Sequence, residues 1–137
     1  MEIDAEKIIR LNTMLSNLIE GFDELYANRK INLTIKDKIL VFLMQKSMTP
    51  IELIKFLGIA KSNLALISQD LIKEELINKT RDEIDRRNIV FTITEKGKER
   101  AKKVLEVLNK NINTNLAYKD NANEINLAIE NLIKLII

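Results

Sequence analysis

Asp82-Glu83-Ile84-Asp85-Arg86-Arg87-Asn88-Ile89-Val90-Phe91-Thr92-Ile93-Thr94-Glu95-Lys96-Gly97 is the stretch whose reading decides the fold. Residues 88–94 are β-branched and aromatic and alternate well enough for a strand. Residues 76–82, from Leu76 to Asp82, read as a second extended segment. The residues between them, Glu83 to Arg87, are almost all charged and suit a solvated loop. Two strands joined by such a loop form a β-hairpin. Thr94 then caps a long helix, because its hydroxyl can accept from an amide N–H that the first turn leaves unpaired. Ala101, Val104, Leu105, Leu108 and Ile112 recur along it as one apolar stripe.

The chain before the hairpin supplies a second signature. Thr49 as N-cap, Pro50 at the first helical position and acidic Glu52 make a strong helix start. Leu53, Ile54, Phe56 and Leu57 are apolar, and Gly58 stops the helix. After a short turn another helix runs over 61–75, with Leu64, Ile67, Leu71 and Ile72 as its inner face. A short helix, a glycine-containing turn and a longer helix spell helix-turn-helix. Thr34 caps a preceding helix that reaches about residue 46, with Ile35, Ile39, Leu40, Phe42 and Leu43 apolar.

The two ends are helical by periodicity. Ile8, Leu11, Leu15, Leu18, Ile19, Phe22 and Leu25 recur at spacings of three and four over 3–28, with Asp4 as cap and 30–33 as connector. Residues 119–123 break the long helix, and a last one carries Ile125, Ala128, Ile129, Leu132, Ile133 and Ile136 on one side. The expected order is α-α-α-α-β-β-α-α: mainly α with a small β-hairpin, a winged helix-turn-helix with dimerisation helices at both termini. The division is 1–33 (N-terminal helix, dimerisation), 34–97 (winged helix-turn-helix, DNA binding) and 98–137 (C-terminal helices, dimerisation).

Composition narrows the function. The chain of 137 residues contains no cysteine and no histidine. Disulfides, thiolate metal sites and a Ser-His-Asp triad are therefore ruled out, so no metal, cofactor or enzymatic role is expected. No phosphate-binding or dinucleotide fingerprint is present, and the dense acidic groups Glu74-Glu75 and Asp82-Glu83-Asp85 read as solvent-facing. No apolar run approaches the roughly 20 residues that span a bilayer, and the start does not read as a signal peptide, so a cytoplasmic protein without a membrane partner is expected. Residues 30–103 hold 16 Lys and Arg against 10 Asp and Glu, whereas the remaining residues hold 6 against 10. A basic middle between acidic ends suits a phosphate-facing module flanked by packing helices, though lysine-rich surfaces are also common without that role.

Candidate contacts follow from the face of each element. On helix 61–75, Lys61, Ser62, Asn63, Ala65 and Gln69 lie off the apolar face. Asn and Gln pair bidentately with adenine, Lys reaches guanine or phosphate, and Ala or Leu66 touches a thymine methyl. Asp85, Arg86 and Arg87 occupy the hairpin tip, where an arginine can enter a minor groove and Asp82 or Asp85 can hold it. Ser47, Lys55, Lys61 and Lys79 are candidates for phosphate contacts, which position without specifying. A solvated helix face and a charged tip that keeps a hairpin soluble account for the same residues without DNA. The terminal helices are more apolar than a small monomer's surface should be, so Ile8, Leu11, Leu15, Ile129, Leu132, Ile133 and Ile136 are read as a homodimer interface, the alternative being a monomer in which they cover the core of the middle module.

The hairpin stretch, Asp82 to Gly97, resembles the multiple antibiotic resistance regulator (MarR) family, whose wing has an acidic-Arg-Arg tip, a strand and a Thr-Glu-Lys-Gly helix start. Thr49 to Ile59 resembles the first helix and turn of that family's reading motif. The resemblance covers essentially the whole chain and is specific within 49–97. It implies a dimeric transcription regulator whose Arg86 and Arg87 reach the minor groove of double-stranded DNA. It also implies a small lipophilic or phenolic effector, as many members respond to one. The chain departs from the pattern at Leu66 (commonly polar or basic), Ala60 (Ser or Thr), Glu75 (Gly) and Ile84 (Arg), and carries acidic Asp70, Glu74 and Glu75 on the reading helix. The expected function is a regulator, as repressor, on a pseudo-palindromic operator. The alternative is a winged-helix module that binds protein, with weak or no specific DNA binding.

Overall fold

The first three helix starts are each fixed by a local bond that the sequence announces. In the computed structural model, which describes residues 1–20, 33–113 and 120–136, Asp4 Oδ1 accepts from the Glu6 N–H at 2.9 Å at the head of α1 (Ala5–Glu20). Thr34 and Asp37 form a reciprocal capping box at α2 (Ile35–Gln45). Thr49 and Glu52 form another at α3 (Pro50–Leu57), which ends on Gly58 at φ 64. Each such cap contributes about 1 kcal/mol. α4 (Lys61–Lys73) follows, then β1 (Ile77–Arg81), β2 (Ile89–Ile93), α5 (Glu95–Asn113) and α6 (Ala122–Ile136). The order is the one expected. The stretch of the first expected helix beyond Glu20, with Phe22 and Leu25, lies outside the described residues, as does most of the 30–33 connector.

The chain forms two compact units: Lys30–Glu106, and Met1–Arg29 together with Val107–Ile137. The core of the first unit joins Ile39, Leu40 and Leu43 of α2, Leu53 of α3, Leu64 and Leu71 of α4, Ile77 of β1, Phe91 of β2 and Ala101 of α5. The five largest fully buried side chains among these, Ile39, Leu40, Leu53, Leu71 and Ile77, are less than 2% exposed. Full burial of such a side chain stabilises by roughly 1.5–3 kcal/mol. Phe42 of α2 stacks on Phe56 of α3 with ring centroids 6.0 Å apart and 10° between planes, which fixes those helices against each other.

The hairpin pairs antiparallel, Ile77 opposite Ile93 through Arg81 opposite Ile89. Met48, between α2 and α3, adds a bridge to Phe91, with Phe91 N–H donating to Met48 C=O at 2.8 Å and Met48 N–H to Phe91 C=O at 3.2 Å. This single-residue third strand had no sequence signal. Thr94 ties the start of α5 to the turn that follows α4. Its hydroxyl donates toward Glu75 C=O at 2.7 Å and accepts from Gly97 N–H at 3.0 Å. Gly97 is required at that crossing, because a Cβ there would overlap the Leu76 carbonyl oxygen and the Ile93 side chain.

Two details of α4 correct the sequence reading. The helix ends at Lys73 rather than 75, and the chain leaves it through Glu75, which holds φ 62. Ile72, expected inside, is 37% exposed, and Ser68 is buried. Leu64, Ile67, Ser68 and Leu71 trace one i, i+3, i+4, i+7 stripe, and Ile72 falls off its edge. Ser68 is tolerated inside because its hydroxyl donates to Ala65 C=O at 3.1 Å.

Candidate nucleic-acid interface

The burial of Leu64, Ser68 and Leu71 dictates what α4 offers outward. Lys61, Ser62, Asn63, Ala65, Leu66 and Gln69 are all exposed, Leu66 at 66%. The structure thus brings the expected reading residues onto the solvent side of one helix, most of them in its first half. The helix start lacks a side-chain cap: Ala60 holds extended angles, φ −71 and ψ 149, but offers no acceptor. The acids sit at the other end. Lys36 of α2 reaches Glu74 at 3.0 Å and Asp70 at 3.9 Å. That cation offsets two of the three acids and draws them toward α2. Sequence reasoning missed Lys36, because the pairing spans 38 positions.

The wing tip is internally braced. Asp85 accepts from Arg87 three times: Nε at 3.0 Å and backbone N–H at 3.1 Å on Oδ1, and a terminal guanidinium nitrogen at 3.2 Å on Oδ2. Those bonds, the side-chain pair first, hold the Asp85 carboxyl below its ordinary pKa. Asp82 does not hold an arginine. Its Oδ1 accepts from Ile84 N–H at 3.0 Å, closing the strand end instead. Arg81, which the sequence reading passed over, donates to Arg86 C=O at 3.0 Å. The Arg86 guanidinium makes no hydrogen bond or ion pair among the described residues and is exposed.

The candidate phosphate contacts Ser47 (after α2), Lys55 (α3) and Lys79 (β1) are each exposed within the same unit. The candidate interface residues lie in the other. Of these, Ile8 is 47%, Leu11 39%, Ile129 38%, Ile133 49% and Ile136 68% exposed, whereas Leu15 and Leu132 are half-buried.

An open cavity of about 610 Å³ lies beside α5 in the first unit, lined by Asp37, Glu74, Lys96, Glu99, Arg100 and Lys103, with Leu76 and Val104 as its apolar part. Asp37, buried at the α2 cap, pairs with Arg100 at 3.4 Å. Among the described residues no group of three carboxylates or other metal-ligating side chains gathers, and no helix is long and apolar enough to cross a membrane.

Comparison with known proteins places this geometry. The family model for the transcriptional regulator SarA/Rot matches residues 25–104, more than half the chain. Among solved structures, the transcriptional regulator BldR from Sulfolobus solfataricus is 20% identical, covers 97% of this chain and 99% of its own, and superposes with a TM-score of 0.64. The multiple antibiotic resistance repressor MarR is 17% identical over 100% of this chain and 97% of its own, at 0.64. The transcriptional regulator Tm0710 from Thermotoga maritima is 26% identical over 95% and 92%, at 0.58. Among curated protein sequences none matches the chain.

Proposed function

The chain belongs to the SarA/Rot family of transcriptional regulators, and on that premise we propose that it is a homodimeric repressor binding a pseudo-palindromic, A·T-rich operator. The observation that carries the reading is the exposed outer face of the first half of α4, with Lys61, Ser62, Asn63, Ala65 and Leu66 presented together and backed by the buried Leu64 and Ser68. A helix held this way enters a major groove with its N-terminal residues at base edges. Asn63 and Gln69 supply adenine contacts, Lys61 guanine or phosphate, and Ala65 and Leu66 thymine methyls. Leu66 in place of a basic residue shifts the preference toward A·T pairs. Arg86, whose guanidinium has no partner among the described residues, is the wing's minor-groove cation, and Asp85 holds Arg87 as its brace. Ser47, Lys55 and Lys79 position the module on phosphates.

Repression by this chain needs no chemistry, only occupancy of a site that polymerase or an activator must use, so the protein acts by binding and not by turnover. A small effector is part of the proposal. A phenolic acid would set its ring against Leu76 and Val104 and its anion toward Lys103 in the cavity beside α5. The working location is the cytoplasm, where the DNA is.

The test is selection of genomic fragments with purified full-length protein, then titration of the recovered duplex at two salt concentrations. A recovered palindrome is expected, with affinity falling steeply as salt rises because phosphate contacts release counterions. Lys61→Ala should weaken it. One observation favours a second reading, a module for protein partners: three large apolar side chains, Ile51, Leu66 and Ile84, stand 66–97% exposed on α3, α4 and the wing. A folded protein that enriches no fragment at low salt, and is indifferent to Lys61→Ala, would decide for that module.

A further inference from the structure

Ile84 is 97% exposed, and no packing in the fold accounts for it. The loop that carries it is nevertheless well held. Asp82 N–H donates to Asn88 C=O at 2.9 Å, and Asn88 N–H to Asp85 C=O at 3.0 Å. Two aspartates, Asp82 and Asp85, each capture the N–H two residues onward. The backbone is thus closed by its own polar groups while the isoleucine projects into solvent. A β-branched side chain has few rotamers to lose when it is ordered. Arg86 stands two residues away, its guanidinium unpaired among the described residues. An apolar tip beside an available cation is the equipment of a minor-groove wedge. Proteins of that kind press an aliphatic side chain between base steps, partly unstack them and bend the duplex toward the major groove. Pyrimidine–purine steps such as TA yield most readily.

We propose that Ile84 is such a wedge: it lodges at a pyrimidine–purine step in the minor groove while Arg86 lies along the groove, and the chain bends its DNA. The proposal rests on the DNA-binding reading above. It adds a specificity that no base-edge hydrogen bond supplies, because the wedge selects sequence by the ease of deforming it. A protein partner is the poorer occupant. Glu83 and the Asp85–Arg87 pair flank the isoleucine, so the tip offers one apolar side chain and not the contiguous patch that interface cores use.

The experiment uses full-length protein and the selected duplex, cut to roughly 30 base pairs, with end-placed fluorophores and 2-aminopurine beside the pyrimidine–purine step nearest the wing. Wild type should shorten the end-to-end distance and raise 2-aminopurine emission. Ile84→Ala should abolish the emission rise, straighten the duplex and weaken binding about tenfold, with the salt slope unchanged. Ile84→Met should keep the bend. Arg86→Ala should instead reduce the salt slope by about 1 per protomer, about 2 for the bound dimer. The variants keep their fold, because Ile84 touches no core, and an unchanged melting curve checks this. Wild type that binds the duplex without bending it, or Ile84→Ala that bends it equally, overturns the wedge and leaves the regulator standing. Wild type that binds no duplex overturns both and transfers the wing tip to a protein partner.

Discussion

Glu75 holds φ 62 without being a glycine. An L side chain there crowds its own carbonyl, at a cost of about 1 kcal/mol, and the chain tolerates it because Thr94 takes the Glu75 carbonyl at 2.7 Å. Glu75→Gly should therefore raise the urea midpoint by the equivalent of about 1 kcal/mol, with the slope of the transition unchanged. No gain would mean that the turn relaxes without strain. The wing offers a titration instead. Arg87 holds the Asp85 carboxyl below its ordinary pKa, so the pair is intact above the usual aspartate range and is lost only as pH falls through the depressed value. Carboxyl carbon NMR should find Asp85 titrating below the ordinary aspartate range, and Arg87→Ala should return it to that range. A midpoint unmoved by that substitution would dissolve the brace. The residue types alone reveal neither feature. A carboxylate near two arginines and another aspartate does not reveal which it chooses, and the angle at Glu75 is hinted at only by the glycine that the resembled family commonly has there.

Elements were legible where their signals are local. Thr34 with Asp37, Thr49 with Glu52, and Gly58 each act within four residues, so the starts of α2 and α3 and the stop after α3 stand where the sequence puts them. Contacts across elements were not. Met48 meets Phe91, and Lys36 meets Glu74, through the fold alone. For the candidate site, periodicity was enough to predict an outward Lys61–Gln69 face, because the buried Leu64 and Leu71 fix the opposite one. It failed at Ser68 and Ile72, where side-chain size and the helix end decide. α4 is the element with an unmet need. Its four leading N–H groups have no side-chain cap, since Ala60 supplies none. Ala60 already has the extended angles of a capping residue, so Ala60→Ser should add about 1 kcal/mol of stability, read as a higher melting temperature. If the melting temperature stays put, solvent already satisfies those groups.

At the scale of the molecule, what needs explanation is the apolar surface of α1 and α6. Ile9 is 65%, Met14 60%, Leu127 59% and Leu135 84% exposed, in addition to the candidate interface residues. Leaving side chains of this size in water forfeits roughly 1.5–3 kcal/mol each, and α6 has no buried residue at all. In the proposed homodimer a second copy of the chain would cover such faces by self-complementarity, since a twofold interface uses the same surface twice. The doubly substituted Ile8→Asp, Ile133→Asp protein should then sediment as a monomer at concentrations where wild type is a dimer. Its reading helix is untouched, so each protomer keeps its own half-site contacts. What disappears is the linkage between two half-sites, which contributes on the order of a hundredfold or more in affinity. The salt slope should fall by about half as well, because half the phosphates are engaged. A monomer that retains wild-type affinity for the selected palindrome would separate dimerisation from recognition, and a variant that stays dimeric would place the interface elsewhere on α1 and α6.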